Sequence, residues 1–219
     1  MKRASMAAIL LAILATQARA DVSGEYEMVG SDHCSGSMQV VQSLDDLLVS
    51  VATVCGPSAH DCDFTGQGKT PRNGGEATVV EPEGCRLFLR FAEGSAKIRQ
   101  GESCSCGLNA FMTGDYEKRT AVEAFAGRIG DGIPIRMKFF ARFGDEIEGL
   151  YFYEKYRANI RVRGRTDGEG RLAIQEFDER GNCTGAFEGR YVSRDRIEGF
   201  WSKPDGSASK PFVLQRTTD

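Results

Sequence analysis

The chain has 219 residues, among them 28 lysines and arginines, 31 aspartates and glutamates, and seven cysteines. This length suits one large domain or two small ones, and an apolar fraction of 41% argues against wholesale disorder. A formal net charge of −3 excludes a nucleic-acid binder that works by bulk positive charge.

The first twenty residues have the parts of a bacterial secretory signal peptide. Lys2 and Arg3 give a positive start, residues 6–15 form an apolar run, and Ala18 and Ala20 are the small residues before a cleavage point. We therefore predict a signal peptide at residues 1–20. A membrane anchor is disfavoured because the run is too short to cross about 30 Å of hydrocarbon. No later run is long enough for a membrane span, so we expect the protein in the periplasm or, second, outside the cell.

Charge and cysteine content divide the mature chain near residue 119. Residues 21–118 carry 7 basic and 15 acidic residues, whereas residues 119–219 carry 18 and 16. The first part also holds six of the seven cysteines. We predict an acidic, disulfide-stapled β-domain at 21–118 and a β-barrel-like domain at 119–219.

The six cysteines of the first part are predicted to form disulfides, because thiols are oxidised in the compartments that exported proteins reach. They are Cys34, Cys55, Cys62, Cys85, Cys104 and Cys106.

Hairpin register suggests how these cysteines pair. Strands predicted at 38–42 and 47–51 flank a turn that places Cys34 opposite Cys55, within disulfide distance. A turn at Glu93 and Gly94 does the same for Cys85 and Cys104, and places Phe91 opposite Ile98. Elimination leaves Cys62 to pair with Cys106.

The second part consists of short runs in which apolar and polar residues alternate, separated by clusters of Gly, Asn and Asp. This pattern is typical of antiparallel strands joined by turns. The predicted strands are residues 121–129, 133–143, 147–153, 159–165, 171–177, 185–191, 196–202 and 211–216. The predicted fold class is therefore all-β, with two small antiparallel barrel or sandwich domains. The C-terminal one has about eight strands and is an up-and-down barrel or a sandwich close to it. Charged outward faces argue against an outer-membrane barrel.

Cys183 is the cysteine left over, and we predict a free thiol there. The adjacent Gly181 and Asn182 indicate a turn, so exposure of the thiol is expected.

Catalytic and cofactor-binding motifs are incomplete. Residues 66–70 resemble the end of a phosphate-binding loop, but Asp63 stands where the first glycine is required. A flexible loop is therefore expected over residues 66–75. His33 and His60 lie beside cysteines and acids without a catalytic pattern, and no calcium-loop spacing is present. We predict no catalytic residue, no metal site and no cofactor.

Two surface patterns stand out, one basic and one aromatic. The basic side chains lie on one side of two predicted strands: Arg161, Arg163 and Arg165 on one, Arg136, Lys138 and Arg142 on the other. They predict either a wall for an anionic polymer or an ordinary solvated face balanced by nearby acids, Glu146, Glu148 and Glu154.

The aromatic cluster predicts strand core or, alternatively, a pocket lining: Tyr151, Phe152, Tyr153 and Tyr156.

The stretch Cys104 to Tyr116, with the sequence CSCGLNAFMTGDY, resembles a motif of small exported bacterial β-domains, some of them lysozyme-inhibitor-like. The second part is similar to uncharacterised exported β-proteins through residues 149–153, 185–189 and 199–202. These resemblances imply an exported β-protein and, for the first part, lysozyme inhibition.

Together these patterns predict a non-enzymatic periplasmic or secreted binding protein. Its acidic domain suits a cationic protein such as lysozyme. One alternative is a lipocalin-like carrier of a small apolar ligand inside the C-terminal barrel. The other is an envelope-glycan hydrolase, which would need a cleft with two carboxylates. The sequence leaves the identity of the partner and the oligomeric state open.

Overall fold

A computed structural model of the protein describes residues 20–71, 75–142 and 144–218. Apart from Ala20, the predicted signal peptide lies outside the described residues. So does Phe143, the last residue of one predicted strand.

The described chain is all-β and forms two closed antiparallel barrels of eight strands each, as the sequence predicts. Within these residues no helix is long and apolar enough to cross a membrane.

The first barrel follows chain order and closes where its last strand pairs with its first. Its strands are β1 (Gly24–Val29), β2 (Cys34–Ser43), β3 (Asp46–Cys55), β4 (His60–Lys69), β5 (Ala77–Val80), β6 (Arg86–Ala92), β7 (Ser95–Gln100) and β8 (Gly114–Thr120).

The second barrel follows the same plan, and its eight strands lie close to the predicted ones. They are β9 (Glu123–Ile129), β10 (Ile133–Ala141), β11 (Glu146–Tyr153), β12 (Asn159–Thr166), β13 (Arg171–Phe177), β14 (Cys183–Ser193), β15 (Arg196–Ser202) and β16 (Ser209–Arg216).

Each barrel is filled by its own side chains, as expected for eight strands. In the second barrel, Phe125, Tyr151, Phe187 and Phe212 are among the buried residues that meet at its centre. Side chains thus occupy the space that a lipocalin-like carrier would leave for an apolar ligand. The carrier alternative therefore loses the interior cavity on which it depended.

Glycines allow neighbouring strands of the second barrel to pack this closely. A Cβ atom on Gly164 would lie 2.0 Å from the carbonyl oxygen of Ala173 and 2.5 Å from the Cα atom of Ile174. No side chain fits at such separations, so the glycine is needed for the pairing of β12 with β13.

Part of the loop expected at residues 66–75 is a strand instead, because residues 66–69 belong to β4, and residues 72–74 lie outside the described residues. Gly66 and Gly68 lie where β4 passes close to β5: a Cβ atom on Gly68 would lie 2.3 Å from the carbonyl oxygen of Thr78. Here the glycines permit a tight strand contact, whereas the sequence pattern suggested a flexible loop.

Three disulfides brace the first barrel: Cys34–Cys55, Cys62–Cys106 and Cys85–Cys104. Disulfides are compatible with a location outside the cytoplasm.

The register argument behind these pairs is right for the first hairpin and wrong for the second. Cys34 lies opposite Cys55 in the β2–β3 ladder. In the β6–β7 ladder, however, Ile98 faces Leu89 and Phe91 faces Ala96, a shift of two residues from the expected pairing. Cys85 and Cys104 both lie beyond the paired residues, so their bond does not depend on that register.

Cys183 is a free cysteine at the first position of β14. It is partly buried rather than fully exposed, and its thiol donates to the carbonyl oxygen of Gly185 at 3.5 Å. The expected turn precedes it, where Gly181 has a positive φ of 81°.

Candidate functional site

The two barrels pack against each other through a small apolar cluster with polar contacts around it. Val41 and Leu48 of the first barrel contact Phe140 and Leu150 of the second, and all four are buried. This cluster fixes β2 and β3 against β10 and β11, so side chains at its margin come from both barrels.

Asn159, the first residue of β12, ties the barrels together beside this cluster. Its side-chain amide donates to the carbonyl oxygen of Ser43 at 2.6 Å and to Oδ2 of Asp46 at 2.8 Å. Its side-chain oxygen accepts from Oγ of Ser43 at 2.6 Å. All of its side-chain polar atoms are therefore used at the interface.

A second polar link joins Lys138 of β10 to Asp21, which precedes β1. Burial raises the pKa of Asp21, but hydrogen bonds from Lys138 and Ser23 outweigh it and hold the pKa below its usual value. The ionised carboxylate is thus the form that this link favours.

An open cleft lies between the barrels beside the interface, and we name it the inter-barrel cleft. Its large lobe, about 720 Å³, extends from Lys69 of the first barrel to the β13–β14 turn of the second. Its small lobe, about 380 Å³, lies between residues 81–83 of the first barrel and Arg142 of the second. Pro82 and Arg163 line both lobes, so the two lobes are adjacent. A volume of this size is typical of a small-molecule site.

Basic side chains of the second barrel form one wall of the cleft. Arg161 and Arg163 alternate outward along β12, while Val162 points towards the barrel interior. In the adjacent β11, Glu148 lies directly opposite Arg163. The strand alternation and this register bring the two arginines and one carboxylate together.

Glu148 is a buried carboxylate shared by these two arginines. The Arg161 guanidinium donates to Oε2 of Glu148 at 3.0 Å, and Nε of Arg163 lies 3.5 Å from Oε1. The side chains of Glu148 and Arg161 are only 10% and 14% exposed. Arg142 lines the same small lobe and its charge acts on Arg161, so the three arginines outnumber the one carboxylate on this wall.

Two buried nitrogens of this wall have no hydrogen-bond acceptor. Nε of Arg142 and Nε of Arg161 are both buried and unpartnered among the described residues. Burial lowers the pKa of Arg161; Glu148 opposes that effect, while the charges of Arg163 and Arg142 add to it. Unmet buried donors are costly, and these two arginines keep hydrogen-bonding capacity that the described residues do not satisfy.

The rim of the large lobe is a well-ordered turn between β13 and β14. Asp178 accepts hydrogen bonds from the backbone nitrogens of Arg180 and Asn182 at 2.9 and 2.8 Å. These bonds hold the Arg180 side chain at the cleft mouth. Phe177 and Ile160 add apolar surface beside it. The large lobe thus offers Arg180 and apolar contacts, with the carboxylates of Asp178 and Glu179 on the same rim.

The structure separates the basic residues that the sequence grouped together. Of the β12 arginines, Arg161 and Arg163 line the cleft, whereas Arg165 lies outside it and is 3.9 Å from Glu146. The three predicted acids do pair with these stripes: Glu154 with Arg136 at 3.0 Å, Glu146 with Arg165, and Glu148 with Arg161 and Arg163.

The two histidines take up structural positions. Nε2 of His33 lies 3.2 Å from the carbonyl oxygen of Asn109, and its ring stacks on Phe111. His60 begins β4, opposite Cys55. Among the described residues no group of three or more His, Cys, Asp or Glu side chains is arranged to hold a metal ion.

The aromatic cluster divides between two environments. Tyr151 lies in the second barrel's core and Phe152 is buried on its outer side, while Tyr153 is partly buried and Tyr156 is 67% exposed.

The second barrel contains a buried carboxylate that the sequence did not predict. Glu176 is 4% exposed and accepts hydrogen bonds from the hydroxyl of Tyr151 and, at 3.2 Å, from Nε1 of Trp201. Burial raises the pKa of Tyr151, and the negative charge of Glu176 raises it further. A Cβ atom on Gly185 would lie 2.5 Å from Oε1 of Glu176, so this glycine leaves room for the carboxylate.

Comparison with known proteins gives no family for this chain. No family model matches it, and no curated protein does. Among solved structures it is similar to a porin-like protein from Bacteroides uniformis, with 7% identity and a TM-score of 0.19. That similarity covers 89% of this chain and 95% of the other.

Proposed function

We propose that the protein is an exported, non-enzymatic binding protein that holds an anionic ligand in the inter-barrel cleft. The observation that carries this proposal is the arginine wall, where Arg142 and Arg161 each keep a buried Nε without an acceptor. The predicted signal peptide and the three disulfides support export.

The chemistry of the cleft indicates what the ligand carries. Guanidinium groups bind carboxylates and phosphates through paired, charge-assisted hydrogen bonds, so one end of the ligand is an anion of this kind. Ile160 and Phe177 favour an apolar portion beside it.

A direct test is titration calorimetry with phenylacetate, a carboxylate with an apolar ring, and with the neutral phenylacetamide as its matched probe. We expect phenylacetate to bind and phenylacetamide to bind at least about tenfold more weakly, because a charge-assisted hydrogen bond contributes roughly 1.5–3 kcal/mol. Arg161→Gln should weaken phenylacetate binding by a similar factor.

The control is Arg165→Gln, on the same strand and outward-facing but outside the cleft. Its affinity for phenylacetate should match that of the unmodified protein. Equal losses in both variants, or no phenylacetate binding at all, would contradict the proposal.

A second function, binding of a cationic protein such as lysozyme, is supported by the charge of the first barrel. Asp32 and Asp61 are exposed and make no ion pair among the described residues. They lie near the segment that resembles lysozyme-inhibitor-like domains: Gly107 donates to the carbonyl oxygen of Asp61 at 2.9 Å, and His33 contacts Asn109.

We expect the protein to slow lysozyme in a cell-wall lysis assay at low salt, and the effect to weaken at moderate salt because exposed charges are screened. The double variant Asp32→Asn/Asp61→Asn should inhibit less. The same charge change on the second barrel, Asp131→Asn/Glu188→Gln, should leave inhibition intact. An absence of inhibition at both salt concentrations removes this function.

The glycan-hydrolase alternative has less support. A glycosidase places two carboxylates on either side of the bond to be cleaved. In the small lobe, Asp63, Glu81 and Glu83 share one wall, and the opposing Glu148 is bound by Arg161 and Arg163. Because Glu148 is already engaged by two guanidinium groups, we favour binding over hydrolysis.

A further inference from the structure

The small lobe of the inter-barrel cleft has walls of opposite charge. Asp63, Glu81 and Glu83 line it from the first barrel, and Arg142, Arg163 and one carboxylate, Glu148, line it from the second. Phe64 and Thr65 are the remaining lining residues of the first barrel besides Pro82, so the lobe's charge is set by these side chains.

The two walls do not neutralise each other across the gap. No ion pair within 4.0 Å joins Asp63, Glu81 or Glu83 to Arg142 or Arg163 among the described residues. Arg142 retains its unpartnered buried Nε. The acidic wall and Arg142 therefore remain able to bind a ligand placed between them, whereas Arg163 also pairs with Glu148 on its own wall.

The acidic wall is held in position by its backbone. Gly84 donates to the carbonyl oxygen of Glu81 at 3.0 Å, and Glu81 donates to the carbonyl oxygen of Cys85 at 3.1 Å. Cys85 is bonded to Cys104, so a disulfide anchors the end of this turn. The two glutamates are thus presented by a rigid turn, which reduces the entropy that binding would cost.

The carboxylates of the acidic wall repel one another. Burial raises the pKa of Glu81, and the like charge of Glu83 raises it further. Neighbouring carboxylates repel each other, and a cation between them relieves that repulsion. A purely anionic ligand would leave it unrelieved and would add to it.

We propose, building on the proposed function, that the cleft binds a zwitterion such as a short peptide with free ends. Its carboxylate lies against Arg142 and Arg163, and its ammonium group lies against Glu81, Glu83 and Asp63. Complementary charge on both walls gives selectivity, since a ligand that lacks either group leaves one wall unpaired. The apolar surface of the large lobe accommodates side chains of the peptide.

The test is calorimetric titration with three forms of one tripeptide: trialanine with free ends, N-acetyl trialanine and trialanine amide. We expect the free-ended form to bind at least about tenfold more tightly than either blocked form, because each lost charge pair is worth roughly 1.4 kcal/mol or more. The double variant Glu81→Gln/Glu83→Gln should remove the preference for the free amino end and leave binding of N-acetyl trialanine unchanged or stronger.

The matched control is Glu93→Gln/Glu102→Gln, which removes two exposed carboxylates of the first barrel outside the cleft. It should keep the preference for free ends. Equal affinity for free-ended and acetylated trialanine, or peptide binding too weak to detect, would overturn the zwitterion. Phenylacetate titrated in the same series separates the two proposals, since its binding depends on the arginine wall alone.

Discussion

Replacing Cys62 and Cys106 with alanine should lower the free energy of unfolding of the first barrel by about 4 kcal/mol. Their disulfide spans 44 residues, the longest separation of the three, and it ties β4 to the segment that precedes β8. Without it the unfolded chain gains conformational freedom, while the folded barrel keeps its ladders.

The single tryptophan makes this effect separable by barrel. Trp201 lies in β15, so its fluorescence follows unfolding of the second barrel, whereas circular dichroism follows both. In urea, the double variant should show an earlier dichroism transition and an unchanged fluorescence transition. Cys183→Ala, which removes a thiol outside any disulfide, is the control and should move neither by much. A fluorescence midpoint that falls together with the dichroism midpoint would mean that the barrels unfold as one unit.

Glu176→Ala should destabilise the second barrel by about 3 kcal/mol, the second large effect we expect. The substitution empties a buried site and takes the acceptor away from the hydroxyl of Tyr151 and the indole of Trp201. The fluorescence transition should come at lower urea, and the emission of the folded protein should change because Trp201 loses its partner.

Two variants distinguish hydrogen bonding from general loss of a glutamate. Glu176→Gln retains an acceptor of the same shape and should recover part of the lost stability. Glu188→Ala removes an exposed glutamate from β14 and should have little effect. A Glu176→Ala protein as stable as the unmodified one would show that this carboxylate contributes nothing to the barrel core.

The strands of the second barrel were predictable because clusters of Gly, Asn and Asp mark the turns, and because apolar and polar residues alternate along each strand. In β10, for example, Ile135, Met137 and Phe139 point inward while Arg136 and Lys138 point outward. Residues that break the usual rules were not predictable in this way. Gly66 and Gly68 suggest a loop by composition, yet they permit close packing within β4.

The buried Glu176 shows where a closer inspection of the alternation would have helped. Leu172 and Ile174 lie on the inner face of β13, and Glu176 is the next residue on that same face. Its inward position follows from the alternation of side chains along β13. The identity of its hydrogen-bond partners on β11 and β15 does not follow from that alternation. Those partners depend on barrel closure, which the sequence of one strand does not contain.

The inter-barrel cleft could not be found from sequence, because docking of the barrels creates it. Arg161 and Arg165 share one face of β12, and only the packing of Leu150 and Phe140 against the first barrel separates their surroundings. Glu81 and Glu83 flank a proline in a turn and carry no motif. They become part of a site only when the second barrel faces them.

Cys183 offers a practical consequence. All other cysteines are bonded, so a thiol-reactive dye should attach at this one position without any engineered residue. Gly181, two residues earlier, belongs to the cleft rim. Binding of a ligand in the inter-barrel cleft would change the polarity around a dye attached there. The dye's fluorescence would therefore report ligand binding.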